Sequence, residues 1–249
     1  MARAFDAIVL GGGVVGCATA FNLARRGASV AVIEKGSQVG CGMTARSSAC
    51  LRLHYSIPEN AAIARHALRY FQNFREELPA EADGDAGFLQ CGHMIVGGGD
   101  ELGSTMRQTV DKLASNGFDT TMIDAADALE LHPHLNVDGV EHIGWEPASG
   151  FADPYMTTTS FQRAAQHHGA KFFYGEEADG LLFHDTDCVG VSTRSHGELH
   201  AGVVVSCMNI WTPSTLEKWL PDGVLPEGRL PMRLEKHFLL AVRQAGGGG

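Results

Sequence analysis

The stretch from Asp6 to Lys35 constrains the fold more than any other part of the chain. Ala7-Ile-Val-Leu10 is a short apolar run rich in β-branched residues, and it ends on Gly11-Gly12-Gly13, the pattern of a buried strand entering a tight turn. Beyond the turn, Ala20, Phe21, Leu23 and Ala24 give a helix its apolar face. Arg25 and Arg26 fall in its last turn, where the dipole is negative, and Gly27 offers a left-handed stop. A second, parallel strand then runs from Ala28 to Glu34. In such a unit Gly11 permits the sharp turn, Gly13 lets a pyrophosphate approach the backbone, and Gly16 lets the helix pack close to the strand. The phosphate charge is received by the N–H groups of Val14, Val15 and Gly16 at the helix N-terminus. Glu34, at the end of the second strand with Lys35 after it, is placed to accept from ribose hydroxyls and would repel a 2′-phosphate. Strand, glycines, helix, strand and terminal acid occur in the order of an adenine-dinucleotide fingerprint. The bland alternative is a glycine-rich turn in some other βαβ unit.

The balance of charges narrows the partners. A net charge of −10 over 249 residues leaves little to release counterions from a nucleic acid, so none is expected. An anion site built on backbone dipoles is compatible with an acidic chain. Six cysteines, at 17, 41, 50, 91, 188 and 207, form no CxxC pair, which fits reduced thiols of a cytoplasmic chain better than a disulfide framework or a zinc site. His132-Pro-His134 and His167-His168 have no third ligand nearby in sequence, so no metal is expected. The first strand begins within the first ten residues, nothing there reads as a leader, and no apolar run approaches a membrane span.

Further along, Gly36 to Ser56 reads as a long functional loop, rich in small polar residues. Ala64, Ala67, Leu68, Phe71, Phe74 and Leu78 keep helical spacing and predict a helix over 60–78, capped by Asn60 and closed by Pro79. A strand over 88–97, a helix over 101–116, a short strand over 120–123 and a short helix capped by Asp124 follow. This block interrupts the dinucleotide pattern and is assigned to a second domain. Residues 144–151 read as a loop, and Asp153-Pro154 heads another helix that ends at His168-Gly169. Strands are predicted over 171–174, 180–184, 189–194 and 198–205. Val203-Val204-Val205 has the look of a strand buried on both faces.

Five stretches together resemble the FAD-dependent D-amino-acid oxidase superfamily, on its sarcosine oxidase, dimethylglycine dehydrogenase and glycine oxidase side. They are the fingerprint ending in Glu34; Gly42 through Thr44, Ala45, Arg46, Ser47 and Ser48 to Arg52, His54 and Tyr55; Phe88 to Val96; Gly150-Phe-Ala-Asp153-Pro154-Tyr155; and Gly197 through Val205 to Trp211. The resemblance implies a Rossmann-like FAD-binding domain of glutathione reductase type, α/β in class, with an inserted and incomplete α+β substrate domain. The expected borders are 1–85 and 145–212 for the first domain, 86–144 and 213–245 for the second, and a glycine tail at 246–249. The loop from Thr44 to Ser48 is expected beside the flavin, and Ala178 at the adenine. Cys207, Met208, Asn209 and Trp211 stand where the family brings backbone close to the flavin. Asn209 replaces the usual glycine there and tolerates unusual dihedrals better than most residues.

Arg52 matches a position that helps to hold a substrate carboxylate, a role that suits a guanidinium fork. His54 and Tyr55 follow it and are expected to line the same pocket. The alternative for Arg52 is a pair with a structural acid. Family members continue for well over a hundred further residues, so the chain reads as C-terminally truncated. The function implied is FAD-dependent oxidation of the C–N bond of a small amino acid or N-methyl amino acid, by hydride transfer to flavin N5. Two other readings stay open: an NAD-dependent dehydrogenase using the same fingerprint, and a non-catalytic FAD-binding fragment or assembly-factor-like module. An assembly with copies of itself or with a partner subunit is allowed, and oxidase is not separated from dehydrogenase.

Overall fold

The computed structural model describes residues 5–225 and 229–235, which divide into two compact units, one drawn from Met1–Ser48 and Gly169–Gly249 and the other from Ala49–His168. The division falls after Ser48 and after His168, whereas the expected domain borders lie at 85 and 145. The glycine tail at 246–249 and the preceding residues 236–245 lie outside the described residues.

The first unit is built around β1 (Phe5–Leu10), which has parallel partners on both sides: β2 (Val30–Glu34) and, from late in the chain, β11 (Gly197–Ser206). A strand paired on both edges and covered on both faces must be apolar throughout, and Ile8, Val9 and Leu10 are all buried. Helix α1 (Val14–Ala24) packs Cys17, Ala20 and Phe21 inward. Cluster partners Phe5, Ile33, Val191 and Ala201 fill a second part of the core. The full sheet order is β8-β2-β1-β11-β10-β9, where β8 is Lys171–Tyr174, β9 is Ala178–His184 and β10 is Asp187–Thr193. Strands β9, β10 and β11 form an antiparallel meander, while the rest is parallel. Gly27 has φ +89 and its N–H returns to the Ala24 carbonyl, so it ends α1 in the left-handed region as predicted. Arg26 lies past the last helical residue, yet its Nη1 donates to the Asn22 carbonyl, one of those the helix leaves unsatisfied. Val203 corrects the expectation of a strand buried on both faces: it is 48% exposed, and Val204 and Val205 are only half-buried, although Ala201 two residues before is buried.

The second unit opens with β3 (Cys50–Leu51) inside the expected loop, and this strand pairs with β7 (Gly150–Phe151). Helix α2 runs from Pro58 to Gln72 and not from a cap at Asn60: Ile57 is the N-cap, and Pro58 occupies the first turn, where its missing N–H costs nothing. The predicted single helix breaks at Asn73 (φ −116, ψ 27), and a short α3 (Phe74–Glu77) follows. The strand expected over 88–97 is only β4 (His93–Gly97), since Gly92 at φ +77 turns the chain before it. Helix α4 (Asp100–Ser115), β5 (Thr121–Ile123) and α5 (Ala125–Leu131), with Asp124 in a capping box, match their predicted places. The predicted loop over 144–151 is corrected most. Strand β6 (His142–Glu146) lies there, the centre of a three-stranded sheet ordered β4-β6-β5. Asp153 accepts from the Met156 N–H and opens α6 (Pro154–His167), as expected. Leu53, Ala61, Leu68, Leu113 and Phe118 form a core cluster of this unit. In the first unit, α7 (Thr212–Trp219) follows the turn at Trp211.

Candidate functional site

The glycine turn between β1 and α1 is held from three sides. Gly11 has φ +101, and a Cβ there would meet the Cys207 carbonyl oxygen at 2.9 Å. The Gly11 N–H reaches the Ile33 carbonyl at 2.9 Å, and the Cys207 N–H reaches the Leu10 carbonyl at 2.8 Å. A Cβ on Gly16 would stand 1.9 Å from the Gly11 carbonyl oxygen, so only glycine lets the helix start this close to the strand. Glu34 then spans the turn. Its Oε2 accepts from the Gly12 N–H at 2.6 Å and its Oε1 from the Gly36 N–H at 2.7 Å. Thr44 Oγ1 accepts from the Val14 N–H at 3.1 Å, while no described residue accepts from the N–H of Val15 or Gly16. Val15 is 60% exposed, so the helix start is open to solvent and to a ligand.

This cradle fits a dinucleotide diphosphate. Orphan N–H groups at a helix start attract anions, and the missing Cβ of Gly13 leaves the approach open beside Thr44 Oγ1. A carboxylate offers about four acceptor positions, and Glu34 uses two on the backbone, leaving two for ribose hydroxyls. Buried Cys17 sits under the turn, with Sγ 3.6 Å from the Gly12 carbonyl oxygen. Burial, then the charges of Glu34 and Cys207, push its thiol up, so it stays protonated and inert.

The loop after Gly40 folds back on the same turn. The Gly40 N–H reaches the Gly12 carbonyl, and the Ala45 N–H reaches the Gly40 carbonyl. Thr44, Ala45 and Arg46 form a 3₁₀ turn, in which Arg46 Nη1 donates to the Gly42 carbonyl; Ser47 and Ser48 follow, exposed. The Trp211 ring lies against Gly42, and Lys35 Nζ stands 5.0 Å from its centroid, a cation–π pair. Met208 packs on the sheet core, and Asn209 has φ +50, the left-handed conformation that its substitution for glycine had to accommodate. Ala178 opens β9. The segment leading to it is stitched to the end of β2 by Gly175 N–H to Gly36 and Glu176 N–H to Glu34, each on a carbonyl oxygen.

In the second unit, Arg52 is surrounded by titratable groups. Its guanidinium lies 5.6 Å from the Tyr55 ring centroid. Burial, then the Arg52 charge, then His93, holds His54 below the usual histidine range, and burial and Arg52 do the same to His93. Both rings are therefore neutral at pH 7. His93 on β4 stands directly opposite Glu146 on β6. Glu146 is fully buried, and burial pushes its carboxyl up against the Leu53 N–H, the Ser149 hydroxyl and the Arg52 charge, which pull it down. Tyr55 also lines a groove with Pro58, Arg65, Lys112 and Phe118.

Sequence reasoning missed Gly12, Gly36, His93 and Glu146. Gly12 and Gly36 work through their N–H groups, which no side-chain pattern advertises. Glu146 lay in a segment taken for a loop. Among the described residues no group of three or more His, Cys, Asp or Glu is placed to hold a metal, and no helix is long and apolar enough to cross a membrane.

The profile of the DAO family, FAD dependent oxidoreductase, matches residues 6–248. The chain is 31% identical over 211 residues to the sarcosine oxidase subunit beta of an Arthrobacter species, a match covering 81% of this chain and 50% of that protein. It is 26% identical over 211 residues to L-2-hydroxyglutarate dehydrogenase of Escherichia coli K12, covering 83% and 48%. Among solved structures, L-proline dehydrogenase from P. horikoshii superposes with a TM-score of 0.77 at 30% identity, covering 85% of this chain and 54% of the other. The chain thus spans about half the length of these relatives. A glycine turn that admits a diphosphate, an acid fixed across it and a match running from the first strand to the end of the chain agree: this protein belongs to the FAD-dependent oxidoreductase family of the D-amino-acid oxidase type.

Proposed function

We propose that the chain binds FAD through its first unit and serves the oxidation of the C–N bond in a small amino acid or N-methyl amino acid. Gly11, Gly13 and Gly16 admit the diphosphate, Val15 and Gly16 offer their N–H groups, and Glu34 takes the ribose. Thr44, Lys35, Trp211 and the segment before Ala178 border the same cradle. When bound, the flavin would supply the hydride acceptor for the carbon next to nitrogen, and water would hydrolyse the imine product.

The observation that carries the amino-acid reading is the setting of Arg52. Its guanidinium lies exposed over the Tyr55 ring, and no carboxylate among the described residues forms an ion pair with it, so its cation is left for a ligand carboxylate that it can hold in a bidentate fork. Held by its carboxylate, the substrate keeps its amine carbon in one orientation. No side chain here is required as a strong base. The nicotinamide reading does not fit membership of an FAD-dependent family. A second reading, oxidation of a 2-hydroxy acid, is favoured by the likeness to L-2-hydroxyglutarate dehydrogenase, since a carboxylate holder serves either substrate.

An anaerobic titration tests both. FAD-loaded protein is mixed with sarcosine, dimethylglycine, glycine, proline or 2-hydroxyglutarate while the visible flavin bands are followed. Bleaching by one of the amines supports C–N oxidation. Bleaching by 2-hydroxyglutarate alone replaces it with C–O oxidation, and no bleaching by any of them favours a non-catalytic FAD-binding module. The spectrum taken after protein denaturation separates covalent from dissociable flavin.

A further inference from the structure

Glu146 ends β6 with its side chain fully buried, directly across the ladder from His93. Its Oε2 accepts the Leu53 N–H at 2.8 Å and the Ser149 hydroxyl at 3.0 Å. Its Oε1 has no hydrogen-bond partner among the described residues, and neither has His54 Nδ1. A buried carboxyl oxygen without a partner is costly, and where one persists it calls for an explanation. The Leu53 bond supplies part of it. Leu53 is fastened twice, by its side chain in the cluster with Ala61, Leu68, Leu113 and Phe118 and by its amide on Glu146. That amide joins Leu53 to Arg52, and His54 follows on the other side of Leu53.

We propose that Glu146 is a positioning and specificity residue for Arg52: it fastens the amide that sets where the guanidinium stands, and its charge state decides how strongly the guanidinium attracts a substrate carboxylate. The inference rests on the reading of Arg52 as the carboxylate holder. The charged and titratable groups that face Glu146 are Arg52, from the segment after β3, and His93 from β4, while His54 follows Leu53 and stands near both Arg52 and His93. Ser149 follows on the turn after β6 and donates its hydroxyl to Glu146. With both histidines neutral, only Glu146 can offset the Arg52 charge. Burial favours its protonated form, which leaves the guanidinium to the ligand; once ionised, Glu146 competes for it.

The test is acetate binding to the full FAD-loaded chain by calorimetry across the whole pH range in which the chain stays folded and acetate is ionised, with a thermal melt of each variant; a wild-type affinity that does not change with pH overturns the inference. Wild-type affinity is expected to fall as pH rises, by roughly tenfold for each pK unit of coupling between the two groups. Glu146→Gln keeps an amide oxygen for the Leu53 N–H but cannot ionise, so its affinity should stay flat at the wild-type low-pH value. Glu146→Leu also removes the acceptor for the Leu53 N–H and should bind acetate more weakly than Glu146→Gln at every pH; if it fails to fold, the glutamine variant decides alone. A wild-type pH slope retained in Glu146→Gln overturns the inference and leaves Arg52 in its role. Acetate affinity unchanged in Arg52→Gln overturns the reading beneath it, and absence of acetate binding to the wild type overturns both. A merely structural Glu146 would lower the melting temperature without altering the pH profile.

Discussion

Replacing Gly16 by alanine puts the dinucleotide cradle to its hardest test. The new Cβ would lie 1.9 Å from the Gly11 carbonyl oxygen, so strand and helix must part by about 1.5 Å to regain ordinary contact. Neither side can yield freely. Gly11 is held by Ile33 and stands against Cys207, which is itself bonded to Leu10; on the helix side Cys17, Ala20 and Phe21 are buried. Overpacking of this kind costs about 1–3 kcal/mol of stability. The larger effect falls on the ligand, because the helix start carries the N–H groups of Val15 and Gly16 away with it. Two charge-assisted hydrogen bonds lost at about 1.5–3 kcal/mol each amount to roughly a hundredfold to ten-thousandfold in the FAD dissociation constant. Flavin fluorescence titration gives the affinity and a circular-dichroism melt gives the fold. The control is Gly27→Ala, at φ +89 with no heavy atom within 4 Å of the added methyl: backbone strain should cost it about 1 kcal/mol and leave FAD affinity alone. A folded Gly16→Ala protein that binds FAD as the wild type does would refute the reasoning.

Glu34→Gln keeps one acceptor but turns an NH₂ toward one of the two amides it now serves, Gly12 or Gly36, and should cost about 1.5–3 kcal/mol as well as weakening FAD; urea denaturation and the same titration check it, and no change in either removes Glu34 from the site. Asp153→Ala leaves the Met156 N–H at the head of α6 without its cap and should lower stability by about 1 kcal/mol, read from the urea midpoint, with FAD affinity unaffected. Glu176 is buried, which acts to raise its pKa, but the Ser195 N–H and His196 outweigh burial and hold the carboxyl below the usual glutamate range. Its contribution to stability is therefore present above that range and lost as pH falls through the lowered value, so melts of wild type and Glu176→Gln should converge under acid conditions; a constant gap across pH would show that the ionised form is not what stabilises.

The first unit was legible because its constraints are local. A βαβ fingerprint states its turn, its helix and its terminal acid within one short stretch, and the structure places Gly11, Gly16 and Glu34 together as that order requires. The second unit was legible only in its caps, such as Asp124 and Asp153, because a capping side chain reads the residue three places on. Strand β6 escaped because its partners β4 and β5 are distant in sequence, and a short run bounded by glycine and proline carries no sign that it is the centre of a sheet. Glu146 was lost with it. Tyr55, placed beside Arg52 by sequence alone, both stacks under that guanidinium and borders a groove toward α4, and adjacency in the chain could not distinguish the two.

Glu34 shows why the fingerprint acid sits where it does. An acid that served only to hold a ribose would be a charged, flexible side chain to be ordered at the moment of binding, and that ordering costs about 0.5–1.5 kcal/mol for a rotamer-rich side chain. Here the carboxylate is already fixed by the Gly12 and Gly36 amides, and Gly12 belongs to the same turn whose next residues receive the phosphate. The bonds that close the turn thus orient the remaining acceptor positions before any ligand arrives. Glycine at 12 follows from the same arrangement, since a Cβ there would come within 3.1 Å of the Glu34 carboxylate and Cβ. The acid and the turn are therefore kept as a pair: a Cβ at 12 crowds the Glu34 side chain and shifts the carboxylate that links the ribose and diphosphate ends of the cradle.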